Sequence, residues 1–254
     1  MKLNSIIGII VIAVTSAVTE TNAATMISLR GNAVTGGNAG TVNSNLNASA
    51  LVGPAGGLGT TWNLATDFTV TNMLDSTGAA TGINFTTTHS ERRGKSSLSS
   101  GELEIARSYM QFFGKGDDVT VTFSGFAPGS THDIWLVSLA PGDGTEGARG
   151  TWSTTNTTTS ASSQILDGSV RNATTFVAGQ NFTYFQNVQA TAGGEIVFFG
   201  DAYDGDNGIS EPNATQDNEH RLQLNGFQIV AIPEPSSIAL LGLGGLALIL
   251  RRRR

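Results

Sequence analysis

Hydrophobic and polar positions alternate along most of this chain in short runs, separated by Gly, Pro, Asn and Asp. In "DVTVTFS", Val119, Val121 and Phe123 alternate with Thr120, Thr122 and Ser124. A period of two puts the apolar set on one face of an extended strand. Ala127-Pro128-Gly129-Ser130 follows with turn chemistry, and Ile134 to Leu139 returns as a second apolar run, so the pair predicts a β-hairpin.

Further β-type runs are "MISL" at 26–29, "TWNLA" at 61–65, "GINFTTT" at 82–88, "ELEIARSYMQFF" at 102–113 and "ATTFVAG" at 173–179. The series continues with "FTYFQNVQA" at 182–190, "EIVFFGDAY" at 195–203 and "HRLQLNGFQIVAI" at 220–232. About ten strands spaced by turns, with no alternating helices, predict an all-β, two-sheet β-sandwich. In the last run Leu222 and Leu224 share one parity while Phe227 and Ile229 share the other, which predicts a β-bulge at Asn225-Gly226. Residues 30–60 form a Gly/Asn/Ala-rich, irregular lead-in, "TWSTTNTTTSASSQ" at 151–164 reads as a long exposed loop, and "ERRGK" at 91–95 as a solvated one.

Both ends depart from this pattern. Residues 1–23 carry Lys2, an apolar stretch from Ile6 to Val18 and small residues around Ala23, the layout of a cleavable secretory signal peptide. At the other end Ser236 to Leu250 is a stretch of 15 uncharged residues. As a helix it rises about 22 Å, against a hydrocarbon core of about 30 Å, so it is a marginal span. Arg251, Arg252, Arg253 and Arg254 follow and stop transfer, leaving the preceding body outside. Pro233, Glu234 and Pro235 stand just before the apolar helix, where the prolines oppose helical structure.

Pro-Glu-Pro, a short Leu/Gly/Ala/Ile helix and a terminal arginine cluster resemble the PEP-CTERM sorting signal of Gram-negative bacteria, a tail also labelled an ice-binding protein C-terminal domain. The resemblance implies an exosortase, a membrane processing enzyme, as partner, with Pro233, Glu234 and Pro235 as its recognition stretch. It also implies a protein held at the inner membrane by its C-terminal helix and then placed at the cell surface or outside the cell. The strand texture of residues 101–231 is similar to jelly-roll, galactose-binding-like domains. The expected organisation is therefore a signal peptide at 1–23, an exported sandwich at 24–231 and a sorting and anchor segment at 232–254.

Removing both ends leaves 9 basic and 18 acidic residues, a formal charge of −9 in place of −6 for the full chain. That balance disfavours nucleic acid as a partner. The absence of cysteine excludes disulfides, thiol catalysis and thiolate metal sites, so the exported body must hold its fold by packing.

Asp201, Asp204, Asp206 and Asn207 gather hard oxygens on one loop and form the candidate calcium site, although the register lacks a full EF-hand pattern. Trp152, inside the Thr/Ser-rich segment, is the candidate for stacking on a sugar ring, whereas Trp135 in an apolar strand is expected inside. Glu102 and Glu104 share a strand face as a glycosidase pair would, but adjacent solvent-facing carboxylates are commoner, and His89, His132 and His220 are dispersed. The expected function is that of an exported structural or adhesive protein of the cell surface or extracellular matrix, not an enzyme. The alternative is a carbohydrate-binding module for exopolysaccharide.

Overall fold

The structure, a computed structural model, describes residues 26–31, 63–65, 68–75, 78–88, 91–94, 105, 108–113, 118–139, 149–156, 163–167, 174–202 and 221–232. All of them fall in one unit, Thr25–Ile232, while Met1–Ala24 and Pro233–Arg254 are grouped separately. The expected signal peptide and apolar tail helix therefore lie outside the described residues.

The described body is all-β. Its strands in chain order are β1 (Met26–Gly31), β2 (Asn63–Ala65), β3 (Thr69–Val70), β4 (Asn84–Thr87), β5 (Glu91–Gly94), β6 (Ser108–Phe113) and β7 (Asp118–Ser124). The second half adds β8 (Thr131–Val137), β9 (Arg149–Thr154), β10 (Ser163–Asp167), β11 (Phe182–Gln189), β12 (Glu195–Ala202), β13 (Arg221–Leu224) and β14 (Gly226–Ala231). One sheet has the order β11-β8-β14-β1-β2, a second β10-β9-β12-β7-β4-β3, and a smaller third β13-β6-β5. Every pairing is antiparallel except β1 with β2.

The two large sheets meet through their apolar faces. In β7, Val119, Val121 and Phe123 are buried and Thr120, Thr122 and Ser124 are not, as alternation requires. Phe123 packs edge-on against Phe227 of the opposite sheet at 4.5 Å, and Phe85 lies 5.2 Å from the same ring. Phe185 and Phe198 close a second cross-sheet contact at 5.0 Å. Aromatic pairs of this geometry add about 0.5–1.5 kcal/mol each beyond their buried area. One continuous cluster of such residues forms the core of the sandwich.

Several local expectations are corrected by long-range pairing. β7 and β8 are not a hairpin: β7 pairs with β12 and β4, and β8 with β11 and β14. The expected turn is present, with Ser130 N–H donating to Ala127 C=O at 3.0 Å, but it carries the chain from one sheet to the other. Crossing lets Val119, Val121 and Phe123 of β7 oppose Ile134 and Leu136 of β8 across the core, whereas a hairpin would set them side by side. The β11–β12 connection crosses beside it. Gly129 N–H donates to Ala190 C=O, Ala190 N–H to Ser130 C=O, and Phe126 N–H to Gly194 C=O, so the two crossings brace each other.

The parity switch at Asn225 is likewise a change of sheet and not a bulge, since β13 pairs with β6 and β14 with β8 and β1. Asn225 is fully buried at this junction. Its Oδ1 accepts from Leu139 N–H, its Nδ2 donates to Ile105 C=O, and its own N–H donates to Val137 C=O. The segment 151–164, expected as a loop, has strands at both ends, with Ser163 of β10 in register with Ser153 of β9. Thr151 and Ser153 alternate with the buried Trp152 and Thr154, the pattern of a half-buried strand and not of a loop. Glu91–Gly94 is an edge strand, not a solvated loop. Conversely, among residues 174–179 no strand forms, because Asn181 draws the chain into a turn by accepting from Val177 N–H and donating to Thr175 C=O.

Candidate functional site

Trp152, the residue expected to meet a sugar, is fully buried on the inner face of β9. This corrects the exposed-loop reading. Register sets Trp152 opposite Gly200 of β12, and a Cβ on Gly200 would come within 2.8 Å of the indole Cζ3. The glycine leaves the space that the ring fills. The indole Nε1–H donates to the buried Ser138 Oγ at 3.2 Å, satisfying the polar end of an otherwise apolar side chain.

Trp135 is buried as expected, yet it faces away from the sandwich core, on the opposite side of β8 from Ile134 and Leu136. It stacks on Tyr184 of the neighbouring strand at 4.4 Å with rings 10° from parallel. Tyr184 Oη donates to Asp133 Oδ2 at 2.8 Å and accepts from Gln186 Nε2. A bulge in β11 between Phe185 and Val188, with Asn187 at φ 54°, turns the Asn187 N–H onto Asp133 Oδ1. Burial raises the Tyr184 phenol above its ordinary pKa, and Asp133 adds to the shift. Sequence reasoning missed this cluster because its members come from two strands separated by about fifty positions, and only the alternation of Trp135 with Asp133 hinted at a shared face.

On the outer face of the six-stranded sheet, hydroxyl residues line up across strands. Thr122 stands between Thr86 and Val197, and Thr69 flanks Thr86. Phe199 stands between Thr120 and Ser153 and is 42% exposed, unusual for a phenylalanine inside a central strand. Asp201, the one described member of the candidate calcium set, ends this face half-exposed, in register with Asp118 and Thr151. Asp204, Asp206 and Asn207 lie outside the described residues, as do Glu102 and Glu104. Among the described residues no group of three or more His, Asp or Glu side chains is placed to hold a metal ion.

His132 lies inside the sandwich beside the first crossing. Its ring sits 4.4 Å from Phe126, and its Nε2 shares a 2.8 Å hydrogen bond with Ser130 Oγ. Its Nδ1 is buried, with no hydrogen-bond partner among the described residues. Burial lowers its pKa from 6.5 to about 4, against a smaller opposing pull from Asp133. Above pH 6.5 the ring is neutral in folded and unfolded chains, so it contributes no pH dependence there. As pH falls from about 6.5 to about 4 the unfolded chain takes up a proton that the folded one refuses, and stability drops by up to about 3 kcal/mol. His132→Asn should flatten that part of a stability-against-pH curve measured by urea denaturation. An unchanged slope would show that the ring is not desolvated.

β14 runs to Ala231, and Ile232 N–H still donates to Thr131 C=O, so Pro233 follows the last hydrogen-bonded residue of the body directly. Residues 231–254 match the model of the PEP-CTERM protein-sorting motif. This chain ends in a PEP-CTERM sorting tail. The PEP-CTERM motif marks an exported protein that is anchored at the membrane before an exosortase, a membrane enzyme, processes it. No curated protein sequence matches the chain.

Among solved structures, the chain is similar to the ANXUR2 extracellular domain from Arabidopsis thaliana, with a TM-score of 0.40 and 13% identity over 83% of this chain and 49% of that one. It is also similar to TmCBM61 in complex with β-1,4-galactotriose, with a TM-score of 0.30 and 7% identity over 57% of this chain and 86% of that one. The match thus spans about half the length of the ANXUR2 domain.

Proposed function

We propose that this protein is a structural or adhesive component of the cell surface or extracellular matrix, and that it works by binding and not by catalysis. The sorting motif at residues 231–254 carries the reading, because it commits the body to the outside of the cell. Pro233, Glu234 and Pro235 are the stretch that the processing enzyme recognises, and their two prolines oppose helix there. The apolar run holds it at the membrane while Arg251 to Arg254 remain in the cytoplasm.

Intact mass of the product made by the native host tests this. The expected product lacks the first 23 residues and everything from about Pro233 onward, and is recovered with the surface or matrix fraction. Glu234→Ala should leave the chain in the membrane with its tail attached. A complete tail in both strains, or a processed product found only free in the medium, would overturn the reading.

A second reading, a carbohydrate-binding module acting on exopolysaccharide, is favoured by the hydroxyl-rich outer face around Phe199.

A further inference from the structure

We propose that the outer face of the six-stranded sheet is a docking surface for an uncharged polysaccharide chain, laid across β7, β12 and β9 with Phe199 as its apolar contact. This rests on the second reading above and deepens it by assigning the surface, the ligand class and the residue that anchors it.

The physical case begins with register. Adjacent strands lie about 4.8 Å apart, and same-face residues along one strand about 6.8 Å apart. Thr86 and Thr122 are direct cross-strand partners, and Thr120 and Ser153 flank Phe199 on either side. The result is a cluster of hydroxyls around Val197 and one exposed aromatic ring, with Glu195 and Asp201 at its two ends. Hydroxyls both donate and accept, as sugar hydroxyls do, so such a cluster can exchange hydrogen bonds with a glycan in more than one register. A phenyl ring left in water within that cluster gains by covering itself with the C–H face of a pyranose.

Charge decides the class of polymer. The strands of this sheet contain a single basic residue, Arg149, and it stands in register with Asp167. Glu195 and Asp201 lie at opposite ends of β12, and the body as a whole is acidic. A face whose described strands carry one basic residue against Asp118, Glu195 and Asp201, in a negative field, disfavours uronates, sulfated glycans and phosphates. An uncharged chain meets no such penalty, and its docking is independent of salt because no ion pair forms.

Affinity electrophoresis of the exported protein through gels containing soluble neutral polysaccharides, a galactan and a glucan, alongside polygalacturonate, gives the test. Retardation by a neutral polymer, unchanged by added salt, and weakened at least about tenfold by Phe199→Thr, is the expected result. Phe199 is 42% exposed, so Phe199→Thr should keep a cooperative melt at a modestly lowered temperature, and binding measured well below that transition establishes that the loss is one of contact. Thr86→Val with Thr122→Val should weaken binding while keeping the strand propensity. Retardation by polygalacturonate alone, equal binding by Phe199→Thr, or a wild type that no neutral polymer retards would overturn the inference. Concentration-dependent sedimentation abolished by Phe199→Thr, without glycan binding, would instead assign the face to a second copy and also overturn it. Processing of the tail is measured independently, so loss of glycan binding with an intact Glu234→Ala phenotype would sink this inference and leave the sorting reading standing.

Discussion

Trp152→Ala should destabilise the folded body by about 3–5 kcal/mol, a large part of the 5–15 kcal/mol that holds a typical domain together. The indole is fully buried against the core lined by Val119 and Leu222, in the space left by Gly200. Truncation leaves a cavity that surrounding strands cannot close without disturbing their ladders. It also leaves the buried Ser138 Oγ without the Nε1–H it accepts from. Trp152→Phe keeps part of the volume and should lose less. Urea denaturation followed by circular dichroism reads both. A loss below about 1 kcal/mol for the alanine variant would return Trp152 to the surface and restore it as a sugar contact.

Gly125→Ala should cost about 2–5 kcal/mol, and more than Gly129→Ala, although both glycines lie in the same crossing. Gly125 has φ 91° and Gly129 has φ 77°, so both pay the left-handed penalty of an L-residue, about 1–2 kcal/mol. Only at Gly125 does an added Cβ run into backbone, the carbonyl oxygen of Gly82. At Gly129 the nearest atom is the flexible Gln189 Nε2, 3.9 Å away. The difference between the two variants therefore isolates the steric cost from the conformational one. Equal losses would mean that the crossing at Gly125 is not packed against the Met73–Ile83 segment.

What could be read from sequence divides along a physical line. The inward set Val119, Val121 and Phe123 was legible because a strand's side chains alternate whatever the strand pairs with. The turn at Ala127 to Ser130 was legible because its residues prefer that geometry locally. Whether the chain turned back beside β7 or crossed the core was not, because both outcomes satisfy the same turn and the same alternation. The partners that decided it, β12 and β14, lie about seventy to a hundred residues downstream. Trp152 failed for a related reason. Its neighbours Thr151, Ser153 and Thr155 look like a loop, and the absent side chain that makes room for the ring belongs to Gly200, on another strand. Asn225 likewise showed itself only as a break in parity, whereas its role depends on Leu139 and Ile105 arriving from distant segments.

By itself, the sequence determined the address of this protein and the class of its body. The sorting tail is a linear signal legible as a run of residue types, and alternating strands with turn residues between them and no helical runs specify an all-β body. Tertiary structure alone decided which apolar faces meet, which tryptophan is inside, and which hydroxyls and which phenylalanine share an outer face. Those outcomes depend on register between strands far apart in the chain, and register is set by the burial of the whole core at once, not by any local run.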